Sequence, residues 1–199
     1  DVSLTVDGKT YPYIEDTKIG NYYKSVRYAD EQLGMFVDLL DKKGVLEDTV
    51  VVIYGDHDAR LSKSSWDLVY NYDPKTGETL DEDDPNYVDI DYYWYEVNRR
   101  VPLIIWSKDE DFQNNYAKKI DYVMGMYDVA PTLGNMFGFE QKYALGHDIF
   151  SIKEDNVVVF PNGNFITNNI YYSDSKEEYK SLSDKPISDT YVESKKEYV

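Results

Sequence analysis

The chain has 199 residues, 42% hydrophobic and 16% aromatic, which is apolar surface enough to offset chain entropy and length enough for one ordinary domain or a large piece of a bigger one. Lysine and arginine total 21 against 38 aspartates and glutamates, and a formal net charge of -17 repels phosphate backbones and excludes nucleic-acid binding through charge. Cysteine is absent, so a disulfide scaffold, thiolate catalysis and a cysteine-based zinc site are excluded as well.

The longest apolar runs, residues 50–54 and 101–106, fall far short of the roughly 20 residues that cross a bilayer. With Asp1 first and no signal pattern after it, the chain reads as a segment of a longer protein whose preceding part carries a share of the function. Over residues 19–43, Tyr22, Val26, Ala29, Leu33, Phe36 and Leu40 recur at steps of three and four and predict an amphipathic helix. Lys42 and Lys43 close it and Gly44 supplies a left-handed exit. Residues 49–54, Thr-Val-Val-Val-Ile-Tyr, form a continuous β-branched run expected to lie buried in a parallel sheet, and residues 101–106 form a second core strand.

Between these strands, residues 71–91 carry eight acidic side chains against Lys75 alone, which predicts a solvated insertion with a hairpin across residues 74–77. The run from Asp81 fails the EF-hand calcium pattern, because Pro85 stands where the third oxygen ligand belongs. Amphipathic helices are expected near residues 115–126 and over 128–137. In the second of these, Asp128 is the expected cap, and Val129, Leu133, Met136 and Phe137 form the inner face. The order of these elements implies an α/β class, with a layered sheet carrying helices on its faces. Pro161-Asn-Gly-Asn164 is a strong hairpin signal and opens a small antiparallel β subdomain. The expected division is therefore 1–150 and 151–199, and residues after 173 read as a peripheral helix or a loosely held tail.

The chemistry concentrates where the first core strand ends, in Gly55-Asp56-His57-Asp58. Asp56 offers a hard oxygen and His57 a neutral imidazole nitrogen, at the sheet edge where open α/β folds place ligands, and this mixed pair suits Mn or Zn, with Mg also compatible; the plainer alternative is an aspartate that caps the next turn and a histidine that donates to a backbone carbonyl. Two ligands leave a metal site open, so the remaining ones are expected elsewhere. Asp58 either orients the histidine or faces solvent. Arg60 and Lys63 read first as ordinary exposed loop cations, with contact to an anionic substrate as the lesser alternative, Arg99 and Arg100 are expected to pair with the acidic insertion, and His147 reads as an exposed loop residue. No phosphate-binding glycine loop, serine elbow or Cys-His pair is present.

Tyr54-Gly-Asp-His57, Asp128-Val-Ala-Pro-Thr-Leu133 and Gly138 resemble the carboxyl half of the alkaline-phosphatase and sulfatase superfamily. Tyr22, Arg27-Tyr-Ala-Asp30, Gly146-His-Asp-Ile-Phe-Ser151 and Val159-Phe-Pro-Asn-Gly-Asn-Phe-Ile-Thr167 narrow the likeness to the lipoteichoic acid synthase and phosphoglycerol transferase family. The resemblance implies a partial alkaline-phosphatase-like fold, from a multi-pass membrane protein with an extracellular catalytic domain. It also implies one divalent cation, commonly Mn, a threonine nucleophile, phosphatidylglycerol as donor, and a glycolipid or polyglycerolphosphate acceptor. Asp56 and His57 match the family's metal ligands, and His57 is also placed to reach the phosphate. The nucleophilic threonine belongs to the family's amino half and is matched by no segment here, so no catalytic nucleophile is expected within the chain. A sulfatase or phosphoethanolamine transferase on the same scaffold, or a non-catalytic wall-associated module, are the competing readings.

Overall fold

A computed structural model describes residues 5–6, 9–10, 14–73, 75–153 and 155–199. The chain divides into two compact units, Asp1–Ala117 and Lys118–Val199.

The first unit opens with a two-stranded antiparallel hairpin, β1 (Thr5–Val6) and β2 (Lys9–Thr10). Helix α1 runs Lys18–Lys42, begun by Thr17, whose hydroxyl accepts the Gly20 N–H, and left through Gly44 at φ 70, a conformation that glycine adopts without strain. Its first turn is anchored by a cluster of Ile14, Ile19 and Leu61, against which Tyr22, Trp66 and Val69 pack. Further along, Val26, Leu33 and Phe36 are exposed while Leu40 is partly buried, so among the described residues the apolar stripe is covered near its two ends and open in its middle.

Leu46 is buried in a short 3-10 turn, Val45–Asp48, that leads into β3 (Val50–Tyr54). This strand pairs with β6 (Leu103–Ser107) in register Val50↔Ser107 to Tyr54↔Leu103. The pairing is antiparallel and most of β3 is half-buried, which corrects the expectation of a strand buried in a parallel sheet. A run that is apolar at every position says that both faces are covered to some extent, but it carries no information on strand direction.

Three helices escape the sequence reading or depart from it. Helix α2 (Lys63–Tyr70) is capped by Ser62 and α3 (Tyr92–Val97) by Asp91, whose carboxylate accepts the Trp94 N–H at 2.6 Å. Helix α4 lies at Glu110–Tyr116, where the expectation was 115–126. Asp109 caps it early by accepting the Phe112 N–H, and the chain turns extended at Ala117. Between α2 and α3 the acidic insertion forms the expected hairpin, β4 (Tyr72–Asp73) with β5 (Glu78–Thr79), while Pro74 lies outside the described residues. Asn71 is fully buried at the insertion's neck. Its amide donates to Asp67 and to the Val88 carbonyl, and its carbonyl oxygen accepts the Val88 N–H, so the solvated loop is tied down at both ends.

In the second unit, α5 (Val129–Phe137) follows a 3-10 turn, Met126–Asp128. Asp128 precedes the helix but does not cap it with its side chain, and Phe137 is exposed while Thr132 and Gly134 are buried. The Asp128 carboxylate instead accepts the backbone N–H groups of Gly125 (2.7 Å) and His147 (2.8 Å), clasping two loops. An antiparallel sheet follows in the order β10 (Glu178–Ser181), β9 (Ile170–Ser173), β8 (Phe165–Ile166), β7 (Val158–Val159). The β7–β8 turn is the hairpin expected from residues 161–164. Of the two readings for the residues after 173, a helix is present: α6 (Asp189–Lys196) sets Val192 into the Phe165, Ile170 and Tyr172 core, while β10, which the sequence did not announce, completes the sheet.

The Asp128 clasp generates a stability prediction. Asp128→Ala strands two N–H groups beside a nearly fully buried position and should cost about 2–3 kcal/mol, read as a lowered urea midpoint with an unchanged slope.

Candidate metal centre

The register of β3 and β6 decides which residues meet beyond the last ladder pair. Gly55 N–H donates to the Pro102 carbonyl at 3.1 Å, continuing the ladder past Tyr54↔Leu103. The same step, carried on, brings Asp58 opposite Arg99. Gly55 is required for packing: a Cβ there would stand 2.8 Å from Val101 Cβ, closer than side chains tolerate.

Asp56 and His57 emerge immediately after this close approach. His57 Nδ1 lies 2.7 Å from the Asp58 carbonyl oxygen. A carbonyl only accepts, so this contact places a proton on Nδ1 and leaves Nε2 with its lone pair. Nε2 lies 3.7 Å from Asp56 Oδ1, and the two side chains are 52% and 86% exposed. The imidazole nitrogen and the carboxylate oxygen therefore converge on open space, a donor set that suits a borderline divalent ion. Among the described residues no group of three or more metal-binding side chains is assembled, so no third described ligand joins Asp56 and His57.

Asp58 does not face solvent. Its side chain is 13% exposed, Oδ1 accepts from Arg99 Nη2 at 3.2 Å, and Oδ2 accepts the Arg60 N–H at 3.0 Å. Burial alone would raise its pKa, but the hydrogen bond from the Arg60 backbone and the Arg99 guanidinium outweigh it and hold the carboxyl below the ordinary aspartate value. Arg60 has φ 50, a left-handed conformation that costs a non-glycine residue about 1 kcal/mol or more, and the Asp58 carboxylate helps to offset that strain. Arg99 also meets Glu96 at 3.2 Å, and Tyr95 donates its hydroxyl to the Leu61 carbonyl at 2.6 Å, fastening the far end of the loop to α3. Behind the loop, Tyr22, Asp58, Leu61, Trp66, Tyr95 and Arg99 line a cavity of about 110 Å³.

These contacts correct one expectation and sharpen another. Arg99 pairs with Asp58 and Glu96, not with residues 71–91, and Arg100 Nε donates to the Val97 carbonyl. Asp58 does orient the histidine, though through its main-chain carbonyl. Arg60 and Lys63 are exposed on the same loop and at the start of α2. His147 is exposed in the second unit, as expected, with its backbone N–H on Asp128. The role of Arg99 was hidden in the sequence because it follows from the antiparallel register, and the one signal that would have exposed it is the matched spacing of residues 54–58 and 99–103 about that pairing.

The sulfatase family model matches residues 5–139, more than half of the chain, and the chain belongs to the sulfatase family. Curated relatives carry a narrower name. Lipoteichoic acid synthase 1 of Bacillus subtilis (strain 168) is 32% identical over 156 residues, covering 76% of this chain and 21% of the relative. The lipoteichoic acid synthase of Staphylococcus saprophyticus is 27% identical over 184 residues (89% and 25%), and that of Staphylococcus aureus (strain USA300) 29% over 165 residues (81% and 22%). The chain thus spans between 21% and 25% of the length of these relatives.

Two measurements check the geometry. Gly55→Val overfills the Val101 contact and should destabilise the protein by about 1–3 kcal/mol in chemical denaturation. Because the folded pKa of Asp58 is depressed, its stabilisation is present above the unfolded aspartate value of about 3.9 and disappears as pH falls from there through the folded value. Urea midpoints of the wild type and Asp58→Asn should accordingly differ near neutral pH and converge as pH falls below the unfolded aspartate value and through the folded one.

Proposed function

We propose that the chain is the carboxyl part of an extracellular, metal-dependent phosphoglycerol transferase of the lipoteichoic acid synthase type. The observation that carries this reading is the convergence of His57 Nε2 and Asp56 Oδ1 at the end of β3, in a chain whose curated relatives bear that name. Residues 1–150 are assigned to the catalytic domain, which contains the family match over 5–139, and 151–199 to an antiparallel appendage, although the compact units part at 117. No helix among the described residues is long and apolar enough to cross a membrane, and the membrane anchor is assigned to polypeptide outside residues 1–199.

In this reading Asp56 and His57 hold one divalent cation, Mn by preference with Mg or Zn as alternatives, and the rest of the coordination sphere comes from outside the chain. Such an ion neutralises phosphodiester oxygens and lowers the pKa of a hydroxyl nucleophile when bound. The chain's own contribution is orientation. Asp58 fixes the His57 tautomer so that Nε2 faces the ion, and the exposed Arg60 and Lys63 offset local negative charge as phosphatidylglycerol and the glycolipid or polyglycerolphosphate acceptor approach a protein of net charge -17. The nucleophile, a threonine, is assigned to the polypeptide outside the chain.

The test is diacylglycerol release from phosphatidylglycerol with Mn by the complete protein. Asp56→Ala and His57→Ala should each lower the rate by about 100-fold or more. Unchanged release in Asp56→Ala overturns the reading, and turnover of a sulfate ester in place of phosphatidylglycerol would transfer the site to sulfatase chemistry. Residues 1–199 alone should release no diacylglycerol; robust release would place a nucleophile within them.

A further inference from the structure

Arg99 occupies a position that neither the family match nor the relatives' names assign to it. It stands on the connection between α3 and β6, 41 residues from Asp58 in sequence, yet the β3–β6 register sets the two opposite each other. Asp58 touches the candidate site in two ways at once. Its carbonyl oxygen accepts from His57 Nδ1, and its carboxylate is held by Arg99 Nη2 and the Arg60 N–H. A peptide carbonyl can rotate away from its neighbour's imidazole when its own side chain is free. Here the carboxylate, held by Arg99, accepts the Arg60 N–H and closes a ring that contains the Asp58 carbonyl carbon, so the peptide is held together with the side chain.

We propose that Arg99 is a positioning residue for the metal centre: through Asp58 it locks the carbonyl that keeps the proton on His57 Nδ1, so that Nε2 is pre-aimed at the ion beside Asp56. The proposal rests on the assignment of Asp56 and His57 as metal ligands. Three features support it. Arg99 spends both terminal nitrogens on this corner, Nη2 on Asp58 and Nη1 on Glu96, so its guanidinium is oriented from two sides. Asp58 is largely buried although Asp56 and His57 on either side of the same turn are exposed, which separates the fixed anchor from the open ligands. The remaining contacts of the loop, Gly55 N–H on Pro102 and Tyr95 on the Leu61 carbonyl, secure its two ends and leave its middle to the Asp58–Arg99 pair. An imidazole free of this lock would divide between two tautomers and several ring orientations, and a fraction of the molecules would present a protonated nitrogen to the ion.

The experiment uses the complete protein and Mn2+ as the probe. Free Mn2+ is titrated by electron paramagnetic resonance, the Mn2+ concentration giving half-maximal diacylglycerol release is measured in parallel, and thermal midpoints are taken without metal. Arg99→Ala and Asp58→Asn are each expected to weaken Mn2+ binding about three- to tenfold and to raise the half-maximal Mn2+ concentration equally, with the rate at saturating Mn2+ retained. The double variant should be no weaker than the poorer single variant, and Arg99→Lys, which keeps the charge but not the fork, should fall between wild type and Arg99→Ala. Unchanged Mn2+ affinity in Arg99→Ala while Asp56→Ala abolishes binding overturns the positioning role and leaves the metal assignment standing. Additive losses in the double variant, or a lower saturated rate with unaltered Mn2+ affinity, also overturn it. Unchanged Mn2+ affinity in Asp56→Ala removes the metal assignment itself and the inference with it.

Discussion

The antiparallel pairing of β3 with β6 is the constraint on which the site depends. Its register places the residues leaving β3 against those entering β6: the Gly55–Pro102 backbone bond continues the ladder by one step, and beyond it the Asp58 and Arg99 side chains meet. In a parallel pair the end of β3 would lie beside the end of β6, near Ser107, and Arg99 would be a ribbon's length away at the opposite edge. One decision about strand direction thus determines which side chains can surround Asp56 and His57. Glycine at 55 follows from the same geometry, since the approach to Val101 leaves no room for a Cβ.

The local electrostatics run against the average of the molecule. A net charge of -17 would discourage any phosphate ester, yet the corner formed by the loop after β3 and the entry to β6 carries Arg60, Arg99 and Arg100, with Lys63 opening α2. Arg99 is committed to Asp58 and Glu96, whereas Arg60 and Lys63 are exposed and available to an anion. The acidic surplus is concentrated instead in residues 71–91, which Asn71 holds in a defined hairpin by hydrogen bonds to both sides of the insertion.

The legible parts of the chain were those in which local chemistry is strong. Helix α1 follows from its periodicity and its Gly44 exit, the β7–β8 hairpin from Pro161-Asn-Gly-Asn164, and the exposed Asp56 and His57 from their place after a glycine at the end of an apolar strand. What was not legible depended on partners distant in sequence. Strand direction is invisible in a uniformly apolar run. Helix α4 moved because Asp109 offered a better start than the amphipathic pattern beyond Asn115. Asp128 looked like a helix cap and became a clasp, because the Gly125 and His147 N–H groups compete for the same carboxylate. The partner of Arg99 was misassigned for a related reason: the acidic insertion is adjacent in sequence, and Asp58 is adjacent only in the ribbon.

The energetics explain why a pair as modest as Asp58–Arg99 can matter at a site while contributing little to the fold. An ion pair whose guanidinium is 47% exposed is worth no more than about 1 kcal/mol, a small part of the roughly 5–15 kcal/mol that separates folded from unfolded states. The orientation of a single peptide and imidazole is a different equilibrium, with no large opposing terms to dilute the effect. There, about 1 kcal/mol changes the ratio of two orientations about fivefold, and a ligand that must bind the rarer orientation loses affinity by the same factor. Exposed metal ligands need such support more than buried ones, because no surrounding core fixes their rotamers. In the proposed reading that support comes from Asp58, which follows the histidine, and from Arg99 on the connection entering β6.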